Sequence, residues 1–163
     1  MASTAAARRE SPCDSPSVVG CQPLDDSMAT VARVLLEDSQ GAALATSSSQ
    51  LEVDRSVVRT VRPDDNGFFG DGIVVVASSS PAEADVRTVA VEDSARAGVG
   101  VFGARLSMAG SRIRCASFAI DGEPNGGADF VLHDGGDNLC GCPEALESCK
   151  VVSAGLAPPG LSP

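Results

Sequence analysis

The amino-acid sequence predicts an all-β chain wound as a short solenoid of about four coils, and three observations carry that expectation. Apolar residues, with serine twice, recur at relative positions 0, 2, 5 and 7 in four places: Ala29, Val31, Val34, Leu36; Leu51, Val53, Ser56, Val58; Ala84, Val86, Val89, Val91; and Leu106, Met108, Ser111, Ile113. The first and third copies lie 55 residues apart, as do the second and fourth, which divides the body, 28–138, into tandem repeats 29–83 and 84–138. The 163 residues are 43% apolar yet hold five Phe and neither Trp nor Tyr, so a core must close on Val, Ala, Leu and Ile. A narrow stack of aliphatic rows suits that inventory, because short repeats that cannot bury their own apolar face bury one another when stacked.

Taken in order, positions 0 and 2 of each copy follow the strand period, as do positions 5 and 7, and the step of three between them marks a corner. Arg33, Arg55, Thr88 and Gly110 fall at that corner. A helix is the competing reading for 31–38, but the equivalent 86–93, VRTVAVED, is dense in Val and Thr and favours a pleated surface. Each copy is followed by a glycine and a second apolar run: Gly41 with AALA, Gly72 with IVVVA, Gly98 with VGVF, Gly127 with ADFVL. Each coil then has about three strand faces, and coils pair in parallel at about 4.8 Å. The expected inward rows are Val31, Val53, Val86, Met108 and Leu36, Val58, Val91, Ile113. Glu37-Asp38-Ser39 and Glu92-Asp93-Ser94 read as strand ends entering loops. Residues 1–27 are expected as a disordered or N-terminal cap segment and 139–163 as a Cys-rich cap and disordered tail, both rich in Pro, Ser and Cys. An uncapped terminal coil offers an open strand edge, which permits edge-to-edge self-association.

Cysteine usage follows the same division. Cys13 and Cys21 precede the repeats, Cys140, Cys142 and Cys149 follow them, and Cys115 alone falls inside. Disulfide staples at the two ends suit an oxidising, extracellular or cell-surface setting, although six cysteines allow fifteen pairings. Zinc is the competing reading; Cys-Gly-Cys with a third Cys seven residues on departs from paired Cys-x2-Cys spacing, and His133 has no second His. The N-terminus lacks an apolar run of signal-peptide length, so disulfides imply either a leader already removed or a longer product. No segment approaches a membrane span. A net charge of −10 argues against nucleic acid as a partner, and an anionic polysaccharide would need a bridging divalent cation.

The segments LEVDRSVVRT (51–60), VRTVAVEDSARAGVGVF (86–102) and LSMAGSRIRCASF (106–118) resemble coils of the right-handed parallel β-helix proteins of the pectin-lyase-like superfamily, with their Leu-x-Val-x-x-Ser-x-Ile-x-x-Asn pattern followed by Gly-Ile-x-Val. The resemblance covers roughly residues 29–133 and implies a single-stranded right-handed parallel β-helix. It specifies architecture rather than activity, since that fold hosts lyases, hydrolases, epimerases, adhesins and inert scaffolds. The family's enzymes have many more coils, which points to a fragment or a degenerate member.

Chemistry is sought in two acidic, glycine-rich stretches, RPDDNGFFGDG and FAIDGEPNGG. The equal distances from Val58 to Gly72 and from Ile113 to Gly127 predict that they emerge on one side and flank a shared groove. Asp64, Asp65, Asp71, Asp121 and Glu123, with Asn66 and Asn125, then form an oxygen-rich Ca2+ candidate; the plainer reading is that turns use Asp, Asn and Gly. Phe68 and Phe69 either stack on sugar rings or fold back over the coil. Arg59 and Arg114, equivalent across the repeat, are the catalytic candidates: in relatives that perform β-elimination on uronates a basic side chain removes the α proton while Ca2+ stabilises charge. An outward arginine on a strand is otherwise a solvated face. Ser56 and Ser111 are read as bonding local backbone, and a single His leaves no serine-hydrolase triad. The preferred reading is a non-catalytic β-helix segment of a secreted or cell-surface protein that presents a long-loop face to a glycan or protein. The alternatives are a partial chain of a Ca2+-assisted uronate lyase or related carbohydrate-active enzyme, and a structural spacer.

Overall fold

The computed structural model describes residues 27–159. Cys13, Cys21 and almost all of the expected N-terminal cap lie outside the described residues. Within them the chain is all-β, with no helix. It passes through three parallel sheets in rotation. The first circuit is β1 (Met28–Ala32), β2 (Leu35–Gln40) and β3 (Ala42–Ser47); the second is β4 (Gln50–Asp54), β5 (Val57–Arg62) and β6 (Asp71–Val76). The third is β7 (Glu83–Arg87), β8 (Ala90–Ser94) and β9 (Ala97–Phe102), and the fourth β10 (Arg105–Ala109), β11 (Arg112–Arg114) and β12 (Phe118–Glu123). A fifth follows: β13 (Val131–Asp134), β14 (Leu139–Cys140), β15 (Glu147–Ser148) and β16 (Val151–Val152). Sheet A is ordered β1-β4-β7-β10-β13, sheet B β15-β14-β11-β8-β5-β2 and sheet C β16-β12-β9-β6-β3. Only β14 with β15 is antiparallel among these pairs.

The 0-2-5-7 pattern becomes spatial ladders. Ala29, Leu51, Ala84, Leu106 and Leu132 stand in one register row, and Val31, Val53, Val86 and Met108 in the next. Leu36, Val58, Val91, Ile113 and Cys140 form the row on sheet B. Members from the second to the fourth circuit are buried, whereas Val31 and Leu36, on sheet-end strands, are only partly so. At the corner between sheets A and B, Arg33, Arg55, Thr88, Gly110 and Gly136 all take positive φ, between 45° and 89°. That kink leaves the next N–H out of the ladder, and a side chain one circuit on accepts it: Val34 N–H donates to Ser56 Oγ, Val89 N–H to Ser111 Oγ and Ser111 N–H to Asn138 Oδ1. Ser56 and Ser111 thus bond local backbone, as expected.

The structure refines one expectation and corrects others. Glu37-Asp38-Ser39 and Glu92-Asp93-Ser94 do lie where strands close, at Gln40 and Ser94, but within them Asp38 and Asp93 join Thr60 and Cys115 in a second left-handed corner row, after which Ser39, Val61 and Ser94 resume pairing. The last sheet C strand of the fourth circuit is not the run after Gly127 but Phe118–Glu123, which pairs with Ala97–Phe102, while Val131–Asp134 opens the fifth circuit beneath β10. The equal Val58–Gly72 and Ile113–Gly127 spacings are therefore coincidental. The insertion 63–70 leaves the corner between sheets B and C, whereas 124–130 leaves the corner between C and A, so they do not flank one groove. Finally, Cys115 is not isolated: it pairs with Cys142, which fastens the fifth circuit to the fourth, and Cys140 pairs with Cys149 within the fifth. Residues 139–152, expected as cap, supply the last strands of sheets B and C.

Candidate functional site

The outer face of sheet C gathers three of the acidic side chains singled out from sequence, Asp71, Asp121 and Glu123. Its register rows run Ala45, Val74, Gly100, Asp121 and Ser47, Val76, Phe102, Glu123. Val74, Val76 and Phe102 form an apolar cluster of their own, separate from the main core, with Ala42 and Leu156 packed against it. Gly100 leaves room for the Phe102 ring, since a Cβ there would stand 3.0 Å from Cε2. Residues 153–159 run across this face without regular secondary structure. Ala154 N–H donates to Asp121 Oδ1 at 3.0 Å, Ser153 Oγ to Glu123 Oε2 at 2.9 Å, and Gly155 N–H to Glu123 Oε1.

Asp71, at the start of β6, has no exposed surface. It accepts Ala97 N–H at 3.0 Å and both Nε (2.8 Å) and Nη2 of Arg96, whose side chain is 17% exposed. Arg96 Nη1 donates to the Ala157 carbonyl at 2.9 Å, and its guanidinium lies 5.0 Å over the Phe69 ring. One arginine therefore joins a buried carboxylate, the loop 63–70 and the tail. Within that loop Asp64 Oδ1 accepts the N–H groups of Asn66 and Phe68, both at 2.9 Å, and Gly67 N–H donates to the Asp64 carbonyl. Asp65 reaches Gln40, and Phe68 stands 63% exposed with its ring centroid 6.2 Å from that of Phe69.

The two carboxylates under the tail differ. Asp121 is fully buried and its Oδ2 has no partner; desolvation pushes its pKa above the ordinary carboxylate value, against the Ala154 N–H, and the charge of Glu123 adds to the rise. Glu123 is held below its ordinary value, because the Ser153 hydroxyl and tail N–H groups outweigh its desolvation. The Ca2+ candidates thus do not form one cage: Asp64 and Asp65 belong to the loop, Asp71 to Arg96, and Asp121 and Glu123 to the tail. Among the described residues no group of three or more His, Cys, Asp or Glu side chains is placed to hold a metal ion. Asn66 is exposed on the loop tip, and Asn125 is a turn residue, donating from Nδ2 to the Ala77 carbonyl at 2.7 Å.

Arg59 and Arg114 lie on another face, the outside of sheet B. There Glu37, Arg59, Glu92 and Arg114 occupy one register row of alternating charge. Arg59 is ion-paired with Glu37 and Arg114 with Glu92. Outside sheet A the hollows are shallow and open; one of about 280 Å³ is lined by Ser49, Gln50, Glu83, Arg105, Asp129 and Val131. Sequence reasoning missed Arg96 and the tail. Arg96 carried one signal, its place just before the Ala97-Gly98 step that matches Asp71-Gly72; the tail, apolar and proline-bearing, carried none. No helix among the described residues is long and apolar enough to cross a membrane. No protein-family model, no curated protein and no solved structure matches the chain.

Proposed function

We propose that the chain is a non-catalytic, right-handed parallel β-helix segment, akin to the pectin-lyase-like proteins, of a secreted or cell-surface protein, and that it holds the loop 63–70 out as a contact for a glycan or protein partner. The sheet order supports the solenoid reading, since each strand from β1 to β11 pairs in parallel with the strand three places on, with like residues in register. Two disulfides suit an oxidising compartment. A non-catalytic reading fits the two arginine candidates, since Arg59 and Arg114 are each ion-paired on the outside of sheet B.

The observation that carries the proposal is Phe68. A large aromatic 63% exposed in a chain with five Phe sits on a rigid mount: Asp64 pins the loop backbone from below, and Phe69 is held beneath Arg96. Pre-positioned aromatic side chains stack on sugar rings and anchor protein interfaces at low entropic cost. The test is a thermal-shift screen of wild type and Phe68→Ser against polysaccharide and peptide panels, with and without Ca2+. A partner that binds the native state raises the wild-type midpoint by mass action. The expected result is a shift of several degrees that Phe68→Ser loses while its unliganded midpoint stays unchanged. A partner that shifts both proteins equally, or a panel that shifts neither, removes this contact and leaves the spacer reading.

A further inference from the structure

We propose that the outer face of sheet C is a peptide-docking groove, that residues 153–159 occupy it as a resident intramolecular ligand, and that its ligand in trans is an extended, uncharged segment of another protein with the same order: a small residue, Gly, Leu, a small residue, Pro. The inference goes beyond the Phe68 contact and needs only the fold.

The groove is built feature by feature for such a segment. Its floor is Val74, Val76 and Phe102, with Gly100 keeping the ring flat against the sheet, and Leu156 is the one large side chain that packs there. Its walls read backbone, apart from the Ser153 hydroxyl, which donates to Glu123. Glu123 and Asp121 take the N–H groups of consecutive residues, Gly155 and Ala154, and Arg96 donates to the carbonyl of Ala157, so the recognised backbone runs in one direction. Gly155 takes φ +70°, which a side chain would strain. Pro158 and Pro159 follow at the Arg96 end, and Pro159 is buried. Main-chain bonds for hold, one pocket for a leucine and a proline-bearing end are the recurring means by which proteins bind extended peptides.

Two observations mark the tail as displaceable. It leaves β16, a strand of two residues, and seats a single large apolar side chain. Closure also leaves Asp121 Oδ2 buried without a partner, so the closed state carries an uncompensated polar cost. A tethered ligand competes at an effective concentration of about millimolar, which masks the groove from weak ligands in trans.

The probe is a fluorescein-labelled peptide of residues 152–159, titrated by anisotropy into the full chain. Leu156→Asp, which empties the pocket in cis, is expected to bind it at least tenfold more tightly than wild type. The same peptide with Asp in place of its leucine, or N-methylated at its glycine, is expected to bind at least tenfold more weakly. Phe68→Ser should leave the affinity for the parent peptide unchanged, which separates this proposal from the loop contact. Should Leu156→Asp fail to fold, wild-type hydrogen exchange decides. An excess of the parent peptide should speed exchange at the Ala154 and Gly155 amides, and the Asp-bearing peptide should not. Equal affinities for wild type and Leu156→Asp, or tail amides indifferent to the peptide, overturn the groove. A concentration-dependent wild-type dimer that the peptide dissolves gives the groove to a second copy's tail and overturns the foreign partner.

Discussion

On the outer face of sheet B, Glu37, Arg59, Glu92 and Arg114 keep their charges at the water boundary; on the outer face of sheet C, Asp71, Asp121 and Glu123 carry theirs beneath protein. Both faces are laid out by the same circuit, so a like position returns to the same row each time. On sheet B the repeat makes an alternating ladder in which each arginine has an acidic neighbour across the strand gap, and a slip by one circuit would set like charges opposite one another. Charge there serves register more than stability, since exposed pairs are worth about 0–1 kcal/mol. On sheet C the carboxylates hold backbone groups out of water, where a missing partner costs far more. The two faces should therefore respond to mutation on different scales.

The largest effect is expected at Arg96. Arg96→Ala leaves Asp71 buried beside one backbone N–H, frees the Ala157 carbonyl and removes the cation over Phe69. Breaking a buried pair from one side costs about 3–5 kcal/mol. Urea unfolding should register a loss of that order. The double variant Asp71→Asn, Arg96→Met should recover part of it by removing the stranded charge. A loss below about 1 kcal/mol would place Arg96 with the sheet B arginines and erase the contrast.

The next effect sharpens the contrast within sheet C itself. Asp121, whose folded pKa is raised, contributes stability that is fully present below its unfolded pKa and is lost as pH rises through the folded value. Glu123, whose folded pKa is lowered, contributes stability present above its unfolded pKa and lost as pH falls through the folded value. Asp121→Asn keeps an Oδ1 acceptor for Ala154 N–H and cannot ionise. Its melting temperature relative to wild type should therefore rise as pH climbs above the ordinary carboxylate value of 3.8, whereas that of Glu123→Gln should rise as pH falls below its ordinary value of 4.5. Midpoint differences that stay flat above pH 3.8 for Asp121→Asn and below pH 4.5 for Glu123→Gln would mean that neither carboxylate senses the tail.

Sheets A and B were legible in the sequence because their signal is local and repeated. Four copies of 0-2-5-7 set the inward rows, the corner and the serines that serve it. Sheet C was half legible. Its strands in the second and third circuits follow glycines, but those glycines act differently from what the pattern suggested. Gly72 and Gly98 lie within their strands and face the core, where a Cβ would overlap Val91 and Ile113 respectively. The fourth circuit has no such glycine; Phe118-Ala119-Ile120 enters the sheet directly, and an equal spacing misplaced the strand by ten residues. The tail was not legible at all. Its hold on sheet C depends on its own N–H and C=O groups, which every sequence possesses, meeting three side chains 32 to 61 residues away in the chain. Three of the acidic residues singled out for Ca2+, Asp71, Asp121 and Glu123, are buried, with Arg96 or the tail as their partners.

The smallest expected effect tests the other half of the comparison. Arg59 stands between Glu37 and Glu92 in the sheet B row and is about half exposed. Arg59→Ala removes the Glu37 pair but leaves two acids about 10 Å apart at strand spacing, close to a Debye length in physiological salt. The loss should be at most about 1 kcal/mol and should shrink further when salt is raised. Arg59→Glu is the sharper variant, because it sets three like charges on adjacent strands, where directly opposed like charges destabilise. It should melt below Arg59→Ala at low salt and approach it in molar salt, in which screening falls to about 3 Å. If the two variants melt together at low salt, the alternation has no energetic consequence and is a by-product of the repeat. If they diverge and salt closes the gap, the sheet B row acts as an electrostatic register that belongs to the exposed face alone, since the buried carboxylates of sheet C are screened much less.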